Sequence, residues 1–73
     1  MEYAVYVNFP NCALLKVWFP ELHLAVNFAA SMGQAKIGPE SPRHALVWKG
    51  ALRLQTWGWF VGTNEHATWM QIN

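Results

Sequence analysis

The sequence predicts an α+β fold: an antiparallel sheet of about five strands with one short helix packed on one face. Three observations predict it. Several segments of the 73-residue chain alternate along the backbone with period two. One stretch opens with Ser31 and, three positions on, Gln34, which is capping-box spacing for a helix start. Gly and Pro punctuate the chain between these segments. Strands, then one helix, then a strand meander is an order that lays the helix across one sheet face. The length suits a single domain over residues 1–73.

Residues 3–9 put Tyr3, Val5, Val7 and Phe9 on one side and Ala4, Tyr6 and Asn8 on the other, a strand pattern. Pro10 and Asn11 break it. Residues 13–19 are nearly apolar throughout and read equally as a strand or a short buried helix. Pro20 and Glu21 make a turn. In residues 22–28, Leu22, Leu24, Val26 and Phe28 alternate with His23, Ala25 and Asn27, which predicts a strand, although Ala and Leu also favour helix. The helix is expected over 31–37 and is stopped by Gly38, Pro39, Ser41 and Pro42. From Ala45 a strand is expected with Leu46, Trp48, Gly50, Leu52 and Leu54 on the core face and Lys49, Ala51, Arg53 and Gln55 on the solvent face. Trp57 and Gly58 read as a turn or bulge, and residues 59–61 as a short strand. Residues 62–66 read as a hairpin loop and residues 67–72 as the last strand.

Composition narrows the function. Hydrophobic residues make up 53% and charged residues 12%, which excludes intrinsic disorder. The net charge of +1 argues against a strongly basic nucleic-acid binder and against an acidic nucleic-acid mimic. Five tryptophans, four phenylalanines and two tyrosines are a large apolar area for a thin core. They either fill that core or form a partner interface. A single cysteine excludes an internal disulfide. The most apolar window, 13–30, holds Lys16, Pro20, Glu21, His23 and Asn27 and fails as a membrane span. No basic leader precedes an apolar run, so a cytoplasmic protein is expected.

No catalytic or metal constellation emerges. His23, His44, His66 and Cys12 lack metal-ligand spacing and read as surface histidines and a small buried thiol. The chain has no aspartate, and Glu2, Glu21, Glu40 and Glu65 are scattered, so no acid–base pair is suggested. Gly58 and Gly62 belong to strand turns, not to a phosphate loop. The expectation is a non-enzyme with no cofactor, no metal and no small-molecule substrate. The candidate partner-binding residues are Gln34, Lys36, Arg43, Lys49, Arg53 and Trp57, where cations and tryptophans combine. Such a combination serves protein hot spots and single-stranded nucleic acid alike. The low net charge favours a protein partner.

The run Ala30-Ser31-Met32-Gly33-Gln34-Ala35-Lys36, the segment from Trp48 through Leu52, Arg53 and Leu54, the Trp57-Gly58-Trp59 triplet and Trp69 carry a family likeness. Over about the last 45 residues the chain resembles a small phage-encoded type I-F anti-CRISPR protein of the sheet-plus-one-helix kind. The chain departs from that pattern where Gly38 and Pro39 cut the helix short and where residues 10–21 have no counterpart. The resemblance implies inhibition without catalysis. The protein would bind a type I CRISPR–Cas surveillance complex in the cytoplasm of the infected host and block target DNA binding. Two other functions fit the same residues: a small nucleic-acid-binding module, or a homo-oligomeric structural subunit.

Overall fold

The computed structural model describes residues 2–11, 14–35, 40–63 and 66–73. Five strands form one antiparallel sheet: β1 (Tyr3–Asn8), β2 (Leu14–Phe19), β3 (His44–Lys49), β4 (Leu52–Val61) and β5 (Ala67–Gln71). A single helix, α1 (Leu22–Ser31), continues into a 3-10 turn at Met32–Gln34. The spatial order is β2-β1-β3-β4-β5. This is the α+β class expected, with one helix on one face.

The helix lies elsewhere than the capping pattern suggests. Residues 22–28, expected as a strand, belong to α1. Leu22, Ala25, Ala29 and Met32 recur at helical spacing, and Ala25 and Ala29 are wholly buried. β1 already has β2 on one side and β3 on the other, so no sheet position beside it remains. Ser31 closes the helix instead of opening one. Its hydroxyl donates to the Phe28 carbonyl at 2.8 Å, satisfying an acceptor that the helix end leaves unpaired. Of residues 13–19, Leu14–Phe19 are strand and Ala13 lies outside the described residues. β2 and β3 both run antiparallel to β1 and so parallel to each other. α1 is therefore the crossover of a split βαβ unit, whose connection needs a dozen or more residues.

Apart from Phe9, the buried core is made of small side chains. Val5, Val7, Ala45 and Val47 on the sheet meet Ala25 and Ala29 on the helix. Small residues on both layers bring helix and sheet close together. Tyr3, Phe19, Phe28, Met32, Trp57 and Trp69 pack around that centre. Tyr3, Val5, Val7 and Phe9, which share one face of the strand pattern, line the core side.

The segment from Ala45 to Gln55 is not one strand. Gly50 and Ala51 form a two-residue hairpin loop between β3 and β4, and Gly50 has φ of 58°. Such a loop needs a residue that tolerates positive φ. The register then shifts between Val47 and Trp48: Val47 faces Gln55 and Trp48 faces Arg53, leaving Leu54 as the extra residue of a bulge. The expected face assignment is thereby overturned. Ala45 and Val47 face the helix, so Leu46 and Trp48 lie on the opposite side. Leu52, expected in the core, is 63% exposed. Lys49 and Arg53 lie on opposite faces. Trp57, Gly58 and Trp59 sit within the continuous strand β4 and not at a turn. No helix among the described residues is long and apolar enough to cross a membrane.

Candidate binding face

The helix covers one face of the sheet and leaves the other open. Register places Trp18, Ala4, Trp48 and Arg53 in one row across β2, β1, β3 and β4 of that open face. The next row is Lys16, Tyr6, Leu46 and Thr56. Ala4 is the small residue between two large rings. The Lys16 ammonium lies 4.6 Å from the Trp18 ring centroid and 5.1 Å from that of Tyr6. Tyr6 and Trp48 are 6.4 Å apart, centroid to centroid, and tilted. Four residues thus form a connected aromatic and cationic cluster beside Arg53. The Trp48 indole N–H is shielded from solvent and has no hydrogen-bond partner.

Aliphatic groups extend the face toward its far end. Leu14 on β2, Met70 on β5 and Ile72 beyond it are exposed. Ile72 and the His44 ring sit over Gly58, where a Cβ would meet Ile72 Cδ1 at 2.5 Å and His44 Cδ2 at 3.2 Å. None of the five strands contains an aspartate or glutamate. The lysine, arginine and histidine side chains of the strands are Lys16, His44, Lys49 and Arg53. None of the five tryptophans is fully buried, so the rings build the surface and the margin of the core rather than its centre.

The six residues singled out from sequence do not form one patch. Arg53 belongs to the open face through its pairing with Trp48. Lys49 lies on the helix side of the sheet end, 3.9 Å from Glu2 and 5.7 Å from the Tyr3 ring centroid. Trp57 packs against the core on the helix side, and its indole N–H donates to Gln55 Oε1 at 2.9 Å. Arg43 is exposed just before β3, and its backbone N–H donates to the Asn8 carbonyl at 2.7 Å. Gln34 is exposed at the end of the 3-10 turn. Lys36 and Cys12 lie outside the described residues. Tyr6, Lys16, Trp18 and Trp48 are the residues the sequence patch omitted. Lys16 and Trp18 share a face at the two-residue spacing of a strand, a signal that becomes visible once residues 14–19 are strand.

A second concavity, an open hollow of about 670 Å³, lies at the start of α1. Glu2, Tyr3, Glu21, His23 and Asn27 are among its lining residues. His23 Nε2 stands 3.8 Å from Glu21 Oε2, with both side chains about two-thirds exposed. Among the described residues no three His, Cys, Asp or Glu side chains converge to hold a metal. No family model, no curated protein and no solved structure matches the chain.

Proposed function

We propose that this chain is a non-enzymatic interaction protein that binds a protein partner through the open face of its sheet. The observation that carries this reading is the connected Trp18–Lys16–Tyr6–Trp48 cluster beside Arg53, on a face that the helix leaves uncovered. Tryptophan, tyrosine and arginine are the side chains that dominate binding energy at protein interfaces. Exposed Leu14, Met70 and Ile72 enlarge the apolar part of the face. Acid-free strands suit a partner surface that carries carboxylates. The family resemblance makes a type I CRISPR–Cas surveillance complex the first partner to try, with the chain acting as a phage inhibitor.

The test mixes the protein with a purified type I-F surveillance complex and measures target DNA binding. Loss of target binding, relieved by Trp18→Ala and by Arg53→Glu, supports the reading. Undiminished target binding at saturating protein removes the complex as partner.

Direct binding of single-stranded nucleic acid is the second reading. The same aromatic and cationic face favours it, since bases stack on rings and phosphates pair with lysine and arginine. The net charge of +1 weighs against it. Tryptophan fluorescence quenched by single-stranded DNA at low salt, and restored by added salt, would establish this reading in place of the first.

A further inference from the structure

We propose that the chain forms a two-fold dimer in which β2 pairs antiparallel with β2 of a second copy. β2 is an outer strand of the sheet, bonded to β1 on one side alone. Its register with β1 runs unbroken over six residues, from Leu14 opposite Asn8 to Phe19 opposite Tyr3. A regular outer strand presents a row of unpaired N–H and C=O groups, which is a template for another strand. Natural edges are commonly guarded by a lysine, a proline or a bulge. β2 contains no proline, and its pairing shows no bulge. Its one charge, Lys16, stands over the rings of Tyr6 and Trp18 on the open face, where a ring can share it.

Both layers are apolar at this edge. Leu14 and Trp18 are exposed on the open face, and Leu15 is 41% exposed on the helix face. Phe19 contacts Phe28 of α1 at 5.3 Å, so this flank of the helix lies above β2. Leu24, one turn before Phe28 on the same flank, is 38% exposed. A partner strand here covers Leu15 and Leu24 while its backbone satisfies the edge.

The strand is complementary to itself in one register. A two-fold axis perpendicular to the sheet pairs only residues that point to the same face. Centred on Lys16, it would set the two ammonium groups directly opposite, which is unfavourable. Centred on Val17, it sets Lys16 opposite the partner's Trp18 and Leu15 opposite the partner's Phe19. The cation then meets a ring and the aliphatic chain meets a ring. The other outer strand, β5, is one residue shorter and contains Thr68 and Gln71. The two open faces become one continuous surface with the Trp18 and Lys16 pairs at its centre.

Sedimentation equilibrium on the whole chain is expected to give twice the 8.3 kDa monomer mass. Leu15→Glu is expected to return the mass to one chain with an unchanged circular dichroism spectrum. Val17→Cys, in a Cys12→Ser background, is expected to oxidise to a linked dimer, because the two Val17 positions meet on the axis. Thr68→Cys in the same background serves as the control and is expected to remain unlinked. A wild-type chain that sediments as a monomer at its highest soluble concentration overturns the proposal. So does a dimer that Thr68→Cys links and Val17→Cys does not. Partner binding through the open face is measured separately, so a dimer without a partner, or a partner without a dimer, tells the two readings apart.

Discussion

The indole N–H of Trp69, on β5, donates to the carbonyl of Ala29, in α1, at 2.9 Å. One hydrogen bond thus joins the last strand to the last turn of the helix, 40 residues away in sequence. The same ring lies against Gly33, where a Cβ would stand 2.6 Å from both Cβ and Cγ of Trp69. Trp59 packs edge-on against it at 5.3 Å and donates its own N–H to the Pro42 carbonyl at 2.8 Å. β5 is held to the helical layer by this cluster.

Gly33→Ala is therefore expected to destabilise the protein by about 1–3 kcal/mol, because the added methyl group meets the fixed Cβ of Trp69. Urea unfolding checks it. An unmoved midpoint would show that Trp69 does not pack on the helix end.

Trp69→Phe keeps most of the ring and removes the donor. The Ala29 carbonyl then loses its indole partner and keeps the Met32 N–H, at a cost of about 1 kcal/mol. Thermal denaturation of the two proteins side by side measures the difference. Equal melting temperatures would mean that water replaces the indole without loss.

The assignment of faces along β3 predicts contrasting behaviour of two neighbours. Val47 is wholly buried beneath the helix, and Val47→Ala is expected to cost about 2–3 kcal/mol. Trp48 lies half-buried on the open face, so Trp48→Ala is expected to cost about half of the 3–5 kcal/mol typical of a fully buried ring. Trp48→Ala is also expected to abolish partner binding, which Val47→Ala leaves in place. Denaturation and a binding titration on both variants check this. A binding loss confined to Val47→Ala would place the interface on the helix side.

Lys49 and Arg53 separate in the same way. Each is exposed, so charge reversal at either is expected to shift stability by no more than about 0.5 kcal/mol. Arg53→Glu reverses the field beside Trp48 and is expected to weaken partner binding at least tenfold. Lys49→Glu, on the other face beside Glu2, is expected to leave binding within twofold. Equal losses from the two variants would contradict their placement on opposite faces.

Gly50→Ala tests the hairpin. No atom lies within 4 Å of the added Cβ, so its cost comes from the backbone alone, at φ of 58°. That cost is about 1–2 kcal/mol for a residue with a side chain. Denaturation measures it, and a stability gain would mean that the loop relaxes to another turn.

Much of the candidate face is legible in the residues themselves. Tyr6 alternates against Val5 and Val7 and so must point away from the core. Lys16 and Trp18 share a face once their segment is a strand. Arg53 is a candidate by its chemistry, and the register sets it beside Trp48. Trp57 is a candidate on the same grounds but packs against the core. Residue type distinguishes a ring from a cation; it does not say which side of a sheet either occupies after a bulge.

By itself the sequence determined the α+β class, the inward side of β1 and the absence of any carboxylate from the stretches that become strands. These follow from local period and composition, which need no partner to be read. Tertiary structure alone decided that residues 22–31 are helix. There the alternation of Leu22, Leu24, Val26 and Phe28 coexists with the helical spacing of Leu22, Ala25, Ala29 and Met32. The choice fell to the helix because both sides of β1 are hydrogen-bonded to other strands and the valines of the sheet need small side chains above them. Tertiary structure likewise decided the faces of Lys49, Arg53 and Trp48. A turn at Gly50 and one extra residue at Leu54 each reset the alternation, and the pairing of β3 with β4 sets where each reset occurs.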